Sequence, residues 1–422
     1  MVSVLFLYSI LIFLTSRIFM KSYICPYSIF LGVFAFSGIL LYSSNFLSKD
    51  LTSLSITIFV LSMLTFAIGA MIALFDQKLM KYNKEFVDID YDKLYFIIKI
   101  LFNLSIIGFL IYFIKLNSSF GLINILKNPV ILNTAIANDQ IQSGIKDYLM
   151  ILSIPNSLLL LKYMSKNKEK SYLKIMYLIE LGMNFNVKRS RLFYIVILNL
   201  FMYLFMNLKE GNIVSIKSKV MKDIKNFIMV LGVIIVSFNL FSKLQMALNK
   251  QLSITGTILG INASESVVSM VTYFSGNLVS MGQMINIDYN NILFGTATFR
   301  FIYKFLDKIN IVSFDDSYLK MQFVNIPSPF NTVPIQYYIY RDFNIIGVVL
   351  FFFIIGYLST KIYLKFLRGN NEFTIFYLSL ICMILTLSIR EYVVIFIEFW
   401  VILLTLIISN IYAKNKGKCY NK

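Results

Sequence analysis

The run NTVPIQYYIYRDFNIIGVVLFFFIIGYL (Asn331 to Leu358) passes from mixed polar and aromatic residues into an unbroken apolar segment. Upstream of Ile345 it carries Asn, Thr, Gln, Arg and Asp; downstream no charge interrupts it before Lys361. An apolar stretch of about 20 residues matches the hydrocarbon core when helical, so a membrane span is expected over 345–366. Working backwards from Asn344 to Lys243, no window reads as a span. Loops longer than about 12–15 residues are usually functional or disordered, and this one is too rich in Phe, Tyr, Ile and Met for disorder. A folded insert is expected there, with the functional site where it returns to the membrane.

The rest of the chain agrees with a bilayer. It is 58% hydrophobic and 16% aromatic, with only 14% charged residues and a mean hydropathy of +0.75. That composition selects an all-α, polytopic membrane protein. Windows of span length predict about eleven transmembrane helices, at roughly 2–16, 23–42, 52–75, 94–114, 147–163, 171–185, 192–208, 226–242, 345–366, 372–389 and 392–412. Four regions follow: a bundle over 1–242, the insert over 243–344, three further spans over 345–413 and a basic tail over 414–422. The first span has no basic residue before it and no small-residue cleavage site, so it is expected to stay as a span. Cys25, Cys382 and Cys419 suggest neither a disulfide framework nor a thiolate metal site.

A net charge of +18 raises the question of nucleic acid. The distribution answers it, because most of the 39 basic residues fall in alternate connections, among them Lys78, Lys81, Lys84, Lys162, Lys166, Lys217, Lys222, Lys361 and Lys365. The positive-inside rule then places the N-terminus outside, the C-terminus in the cytoplasm and the insert outside. No nucleic-acid partner is expected.

Several stretches depart from this plain background. DIDYD (Asp88 to Asp92) has the alternating aspartates of a calcium loop, but Lys93 stands where that loop needs glycine and Lys99 where it needs glutamate. A solvated connection is expected instead. NVKRSR (Asn186 to Arg191) puts three cations in a turn that the alternation of spans assigns to the outside. Glu180 sits about 9 Å below it at the helical rise. A carboxylate at that depth is either functional or paired with Arg189 or Arg191. Within the insert, FGTATFRFIYKFLDKIN (Phe294 to Asn310) sets Arg300, Lys304 and Lys308 on one helical face and Ile302, Phe305, Leu306 and Ile309 on the other. That pattern predicts an interfacial helix, bound either to ordinary headgroups or to the phosphates of a lipid-linked substrate. TYFSGNLVSMGQM (Thr272 to Met284) has two glycines among apolar residues, which suggests close packing or a re-entrant turn. Arg341 and Asp342 stand at the outer mouth of the ninth span, Arg390 and Glu391 in the outer turn before the last one, and Glu398 about 10 Å below it. Arg189, Arg191, Arg300, Arg341 and Arg390 therefore gather above two buried carboxylates, and arginine suits bidentate recognition of pyrophosphate.

On these residues the chain resembles the oligosaccharide repeat-unit (O-antigen) polymerases, Wzy. Asn331 to Leu358 looks like that family's Asn-x-aromatic and Tyr-x-Asp-Phe-Gly-x-x-Gly approach to a span, with Asn344 standing where the family usually has glycine and Tyr337 where many members carry arginine. TYFSGNL (Thr272 to Leu278) is similar to its Tyr-x-Ser-Gly segment, and the KRSR turn to its arginine-bearing outer turn. The resemblance is architectural over the whole chain and motif-level over only a small part of it. It implies a fold like the multi-span lipid-sugar glycosyltransferases, located in a bacterial inner membrane. The implied substrate is a polyprenyl-pyrophosphate-linked oligosaccharide, and the implied partners are a chain-length regulator and a flippase of the same pathway.

With no histidine in the chain and no metal-like cluster in its sequence, metal-independent chemistry without cofactor or nucleotide sugar is expected. Arginines would hold the charge that grows on the departing pyrophosphate. Glu398, Glu180 and then Asp342 are the candidates for the base that takes the acceptor's proton. Arg341 and Arg390 are the catalytic cations. Arg189, Arg191, Arg300, Lys304, Asn331 and the aromatic rings of Tyr273, Tyr338 and Tyr340 are substrate-binding candidates. The competing readings are a flippase, which should show related halves and a midplane site, and a ligase, which would be expected to use a histidine in its outer loop.

Overall fold

The structure is a computed structural model that describes residues 2–49, 51–79, 87–121, 124, 145–167, 170–185, 189–210, 256–287, 293–315, 323–326, 329–369 and 371–416. Helices dominate: α1 (Val2–Met20), α2 (Pro26–Ser43), α3 (Ser53–Leu79), α4 (Tyr91–Phe120), α5 (Ile145–Ile151), α6 (Ser153–Lys166), α7 (Ser171–Phe185) and α8 (Arg189–Glu210) precede the insert. Within the insert come α9 (Glu265–Ile287) and α10 (Arg300–Lys308), followed by α11 (Ile335–Arg368), α12 (Thr374–Leu387) and α13 (Ile397–Ala413). Three small antiparallel ladders complete it: β1 (Val87–Ile89) with β6 (Lys414–Lys416), β2 (Gly256–Ile258) with β3 (Ile261–Ala263), and β4 (Val324–Asn325) with β5 (Pro329–Phe330).

Local chemistry sets the helix ends. Pro26 opens α2 at a position where its missing N–H is harmless. Asp90 caps α4 by accepting the Lys93 N–H at 3.2 Å. Gly369 closes α11 in the left-handed region at φ 70°. DIDYD thus becomes a strand and a cap.

Among the described residues, five helices are long and apolar enough to cross a bilayer: Pro26–Ser43, Ser53–Asp76, Tyr91–Phe120, Asp147–Lys166 and Ile335–Arg368. Shorter apolar helices lie at Leu7–Met20, Phe193–Leu208, Thr374–Leu387 and Ile397–Ala413. The expected span 226–242 lies outside the described residues, as does most of the connection 117–146. Large apolar side chains lie bare along α3 (Leu64, Ile68, Phe75), α4 (Leu110, Ile114) and α11 (Ile346, Leu350). A bilayer solvates such a surface; water does not.

Contacts sort the helix ends into two groups. At one end β1 pairs with β6, Lys162 bridges Glu372 at 3.5 Å and Lys361 bridges Asp76 at 3.3 Å. At the other, Ser44 bridges Ile258, and Arg191, Asp147 and Glu398 meet. This grouping follows the alternation of spans, and the second end is called outer after the expected orientation.

α3 and α11 form the tightest helix pair. A β-carbon on Gly69 would lie 2.1 Å from the Phe353 carbonyl oxygen, and one on Gly356 would lie 2.2 Å from that of Phe66. The two backbones touch, which is how helices bind each other where lipid supplies no hydrophobic drive.

The insert differs from a loop that merely covers the bundle. α9 is one continuous helix, so the glycine-bearing stretch packs closely and makes no re-entrant turn. It crosses the outer ends of α2 and α3. Ser37 Oγ donates to the Phe274 carbonyl and Ser275 Oγ to the Ser37 carbonyl, each at 2.9 Å, and Gly282 sits against Thr52 and Ser55. α11 also begins earlier than the expected span, at Ile335, and kinks at Asn344, whose φ is 58° and ψ −164°.

Candidate functional site

The short arm of α11 above the kink, Ile335 to Phe343, carries Arg341 and Asp342, and both are buried. Arg341 Nη1 donates to the Tyr337 hydroxyl at 3.3 Å, one turn back, and its guanidinium lies 5.5 Å from the centre of that ring. Asp342 accepts from Ala297 N at 3.0 Å, Thr298 N at 2.6 Å and Thr298 Oγ1 at 2.5 Å. The Arg341 carbonyl accepts from Leu293 N at 2.8 Å. These bonds fasten the turn 293–299 to α11 and so position α10. The turn needs Gly295, which has φ 85° and would meet the Phe343 ring at 3.1 Å if it bore a β-carbon. From there α10 reaches α13: Phe301 stacks on Trp400 at 5.5 Å, and Trp400 Nε1 donates to the Val394 carbonyl at 2.9 Å.

α13 does not begin where a straight span would. A 3-10 turn at Val393–Ile395 delays it to Ile397, so Glu398 lies in the first helical turn. This corrects the expected depth of Glu398: it sits at the outer end of its helix, where the backbone dipole favours a carboxylate. Its partner is Arg191, only 1% exposed, with Nε 3.2 Å from Glu398 Oε1 and Nη1 3.9 Å from Asp147 Oδ1. Removing one member of such a pair leaves a buried charge uncompensated, at about 3–5 kcal/mol.

The turn before α13 is held by Arg390 N and Glu391 N, both donating to the Leu387 carbonyl at 2.9 Å. Arg390 lies 5.6 Å above the Phe193 ring. The buried Tyr194 hydroxyl hydrogen-bonds Glu391 and feels Arg390 and Glu398. Tyr338 feels Glu391, Arg300 and Arg341, and its ring packs between Tyr337 and Tyr392 at 5.7 and 6.0 Å. Arg191, Arg300, Arg341 and Arg390, drawn from four distant stretches, therefore converge with Glu398, Asp342 and Tyr338. Asp342 also lines an apolar groove of about 530 Å³ that runs past Phe294, Phe343, Ile346, Leu350 and Phe351.

Other candidates lie elsewhere. Glu180 joins neither Arg191 nor the cluster, which separates it from Glu398; the side chain of Arg189, the other partner considered, lies outside the described residues. It is wholly buried and accepts from Asn156 Nδ2 at 2.5 Å, within a polar ladder that also joins Asn184 to Ser153 and Asn199 to Ser157. Among the described residues no charged side chain forms an ion pair with it. Arg189 opens α8, but its side chain lies outside the described residues. Lys304 and Asn331 are exposed. Tyr273 packs on Phe330 at 5.8 Å, and Tyr340 is half-buried against the core.

Sequence reasoning missed Asp147, Tyr194, Thr298, Tyr392 and the part played by Glu391. Only Asp147 and Glu391 left a signal, as acidic residues beside expected span ends. No protein-family model, no curated protein and no solved structure matches this chain.

Proposed function

We propose that the protein is a glycosyltransferase of a bacterial inner membrane, with its N-terminus outside, its C-terminus in the cytoplasm and its site on the outer face. It polymerises polyprenyl-pyrophosphate-linked oligosaccharide repeat units of an O-antigen or similar surface polysaccharide. The growing glycan moves from its lipid pyrophosphate to the non-reducing end of a fresh lipid-linked unit. The observation that carries this reading is the convergence of Arg191, Arg300, Arg341 and Arg390 with Asp342, which lines an apolar groove. Cations next to a lipid-facing furrow suit a ligand that is half anion and half hydrocarbon.

The arginines divide the work. Arg191 is held by two carboxylates and shapes the floor. Arg300 and Arg341, beside Tyr338, and Arg390, beside Tyr194, meet the pyrophosphate, whose charge rises as the glycosidic bond breaks. The test is purified protein in vesicles with a labelled lipid-pyrophosphate repeat unit, without nucleotide sugar and with chelator. A ladder of lipid-linked products is expected, and Arg341→Ala should slow it by about 100- to 1,000-fold, the typical loss for one charge-stabilising donor. Passage of the lipid across the vesicle without a ladder would instead identify a flippase.

A further inference from the structure

Among the described residues, Glu398, Asp147, Asp342 and Glu391 stand in or beside the arginine cluster, and the geometry points to Glu391 as the one that takes the proton. The inference rests on the transferase reading above. Glu398 and Asp147 are turned onto Arg191. Asp342 receives three donors from Ala297 and Thr298. A carboxylate engaged in this way is a poor base, because protonation would cost it the charge that holds its partners. Glu391 differs. Its Oε1 is buried and has no hydrogen-bond partner among the described residues, although Tyr194 holds the carboxyl group. A buried acceptor left open carries a desolvation cost that a donor from a bound ligand would remove. Glu391 also lies beside Tyr338, the ring that Arg300 and Arg341 flank. A hydroxyl bound at Oε1 is thus placed next to the cations that would hold a pyrophosphate.

We propose that Glu391 is the general base. The O–H bond of the acceptor sugar hydroxyl breaks and its proton passes to Glu391 Oε1. The freed electron pair forms the new bond to the anomeric carbon of the donor glycan. The bond from that carbon to the pyrophosphate oxygen breaks, and its electron pair leaves with the lipid pyrophosphate, which Arg300, Arg341 and Arg390 retain as the anion. Tyr194 is a positioning residue that keeps the carboxyl group turned towards the site.

The test compares wild type, Glu391→Gln, Glu391→Asp and Glu398→Gln in the vesicle polymerisation reaction. Binding of the labelled lipid-pyrophosphate unit is measured in parallel. Glu391→Gln keeps the shape and the Tyr194 contact but cannot accept a proton. It should slow polymerisation by about 100- to 10,000-fold, with donor binding within about threefold of wild type. Glu391→Asp should recover at least part of that loss. Glu398→Gln should weaken folding and donor binding together. Polymerisation by Glu391→Gln at close to the wild-type rate overturns the assignment. So does equal loss of donor binding in the Gln and Asp variants, which would mark a structural residue. A wild-type protein that makes no polymer overturns the transferase reading and the base with it.

Discussion

Charge gathers at both ends of this bundle, but with different residues. The inner end uses lysines. Lys361 meets Asp76 and Tyr357 with both charged partners partly exposed, and Lys162 meets Glu372, which also accepts from Tyr91. The first joins α3 to α11 and the second ties α6 to the turn before α12, and a cavity of about 480 Å³ at this end is lined by Leu161, Met164, Lys170, Lys174 and Tyr203. The outer end uses arginines brought from α8, α10, α11 and the turn before α13, of which Arg191 and Arg341 are buried. A partly exposed lysine such as Lys361 needs only water and headgroups nearby, whereas Lys162 is buried on Glu372. Buried arginines need partners arranged in advance, and proteins accept that cost chiefly where a site is built.

The comparison can be broken most directly at Arg191. Arg191→Met should destabilise the folded protein by about 3–5 kcal/mol, because Glu398 and Asp147 lose their buried counter-charge. Unfolding in detergent would measure it. Adding Glu398→Leu should return part of the stability without returning activity. A single variant as stable as wild type would remove the case for a built outer site. A smaller and opposite effect is expected at the kink. Asn344 occupies a backbone region that glycine alone tolerates well, at a strain of about 1–3 kcal/mol. Asn344→Gly should therefore raise the unfolding midpoint, although it gives up the bond from Ile345 N to the Asn344 side chain at 2.7 Å. The smallest effect belongs to the inner end, where Lys361→Met should leave stability and polymerisation unchanged within error, since partly exposed pairs contribute little. A large loss there would erase the distinction between the ends.

Much of this architecture was legible because long apolar runs admit one economical solution in lipid. The helices of α2, α3, α4 and the lower part of α11 fall on such runs. α9 was less legible because its buried face is polar: Thr272, Ser275, Asn277 and Ser280 satisfy themselves on backbone carbonyls and on Thr332. In sequence the two glycines among apolar residues left close packing and a re-entrant turn both open. The arginines were legible as exceptions to the positive-inside trend. Their partners were not, since depth measured along a straight helix failed at Glu398, where the 3-10 turn intervenes. The contact of Asp342 with Thr298 spans two segments whose approach no periodicity encodes.

The backbone contact between Gly69 and Phe353, and between Gly356 and Phe66, has a mechanical consequence. Helices pressed together at that distance cannot slide without collision, so α3 and the lower part of α11 behave as a single post. The kink at Asn344 then works as the joint of a short lever, with Ile335 to Phe343 as its arm and α10 hanging from it through Asp342. If a ligand moves the outer end, the movement is expected beyond the kink and not in the post. Distance probes on α3 and lower α11 should keep their separation when lipid-pyrophosphate is added, whereas a probe on α10 should move against either.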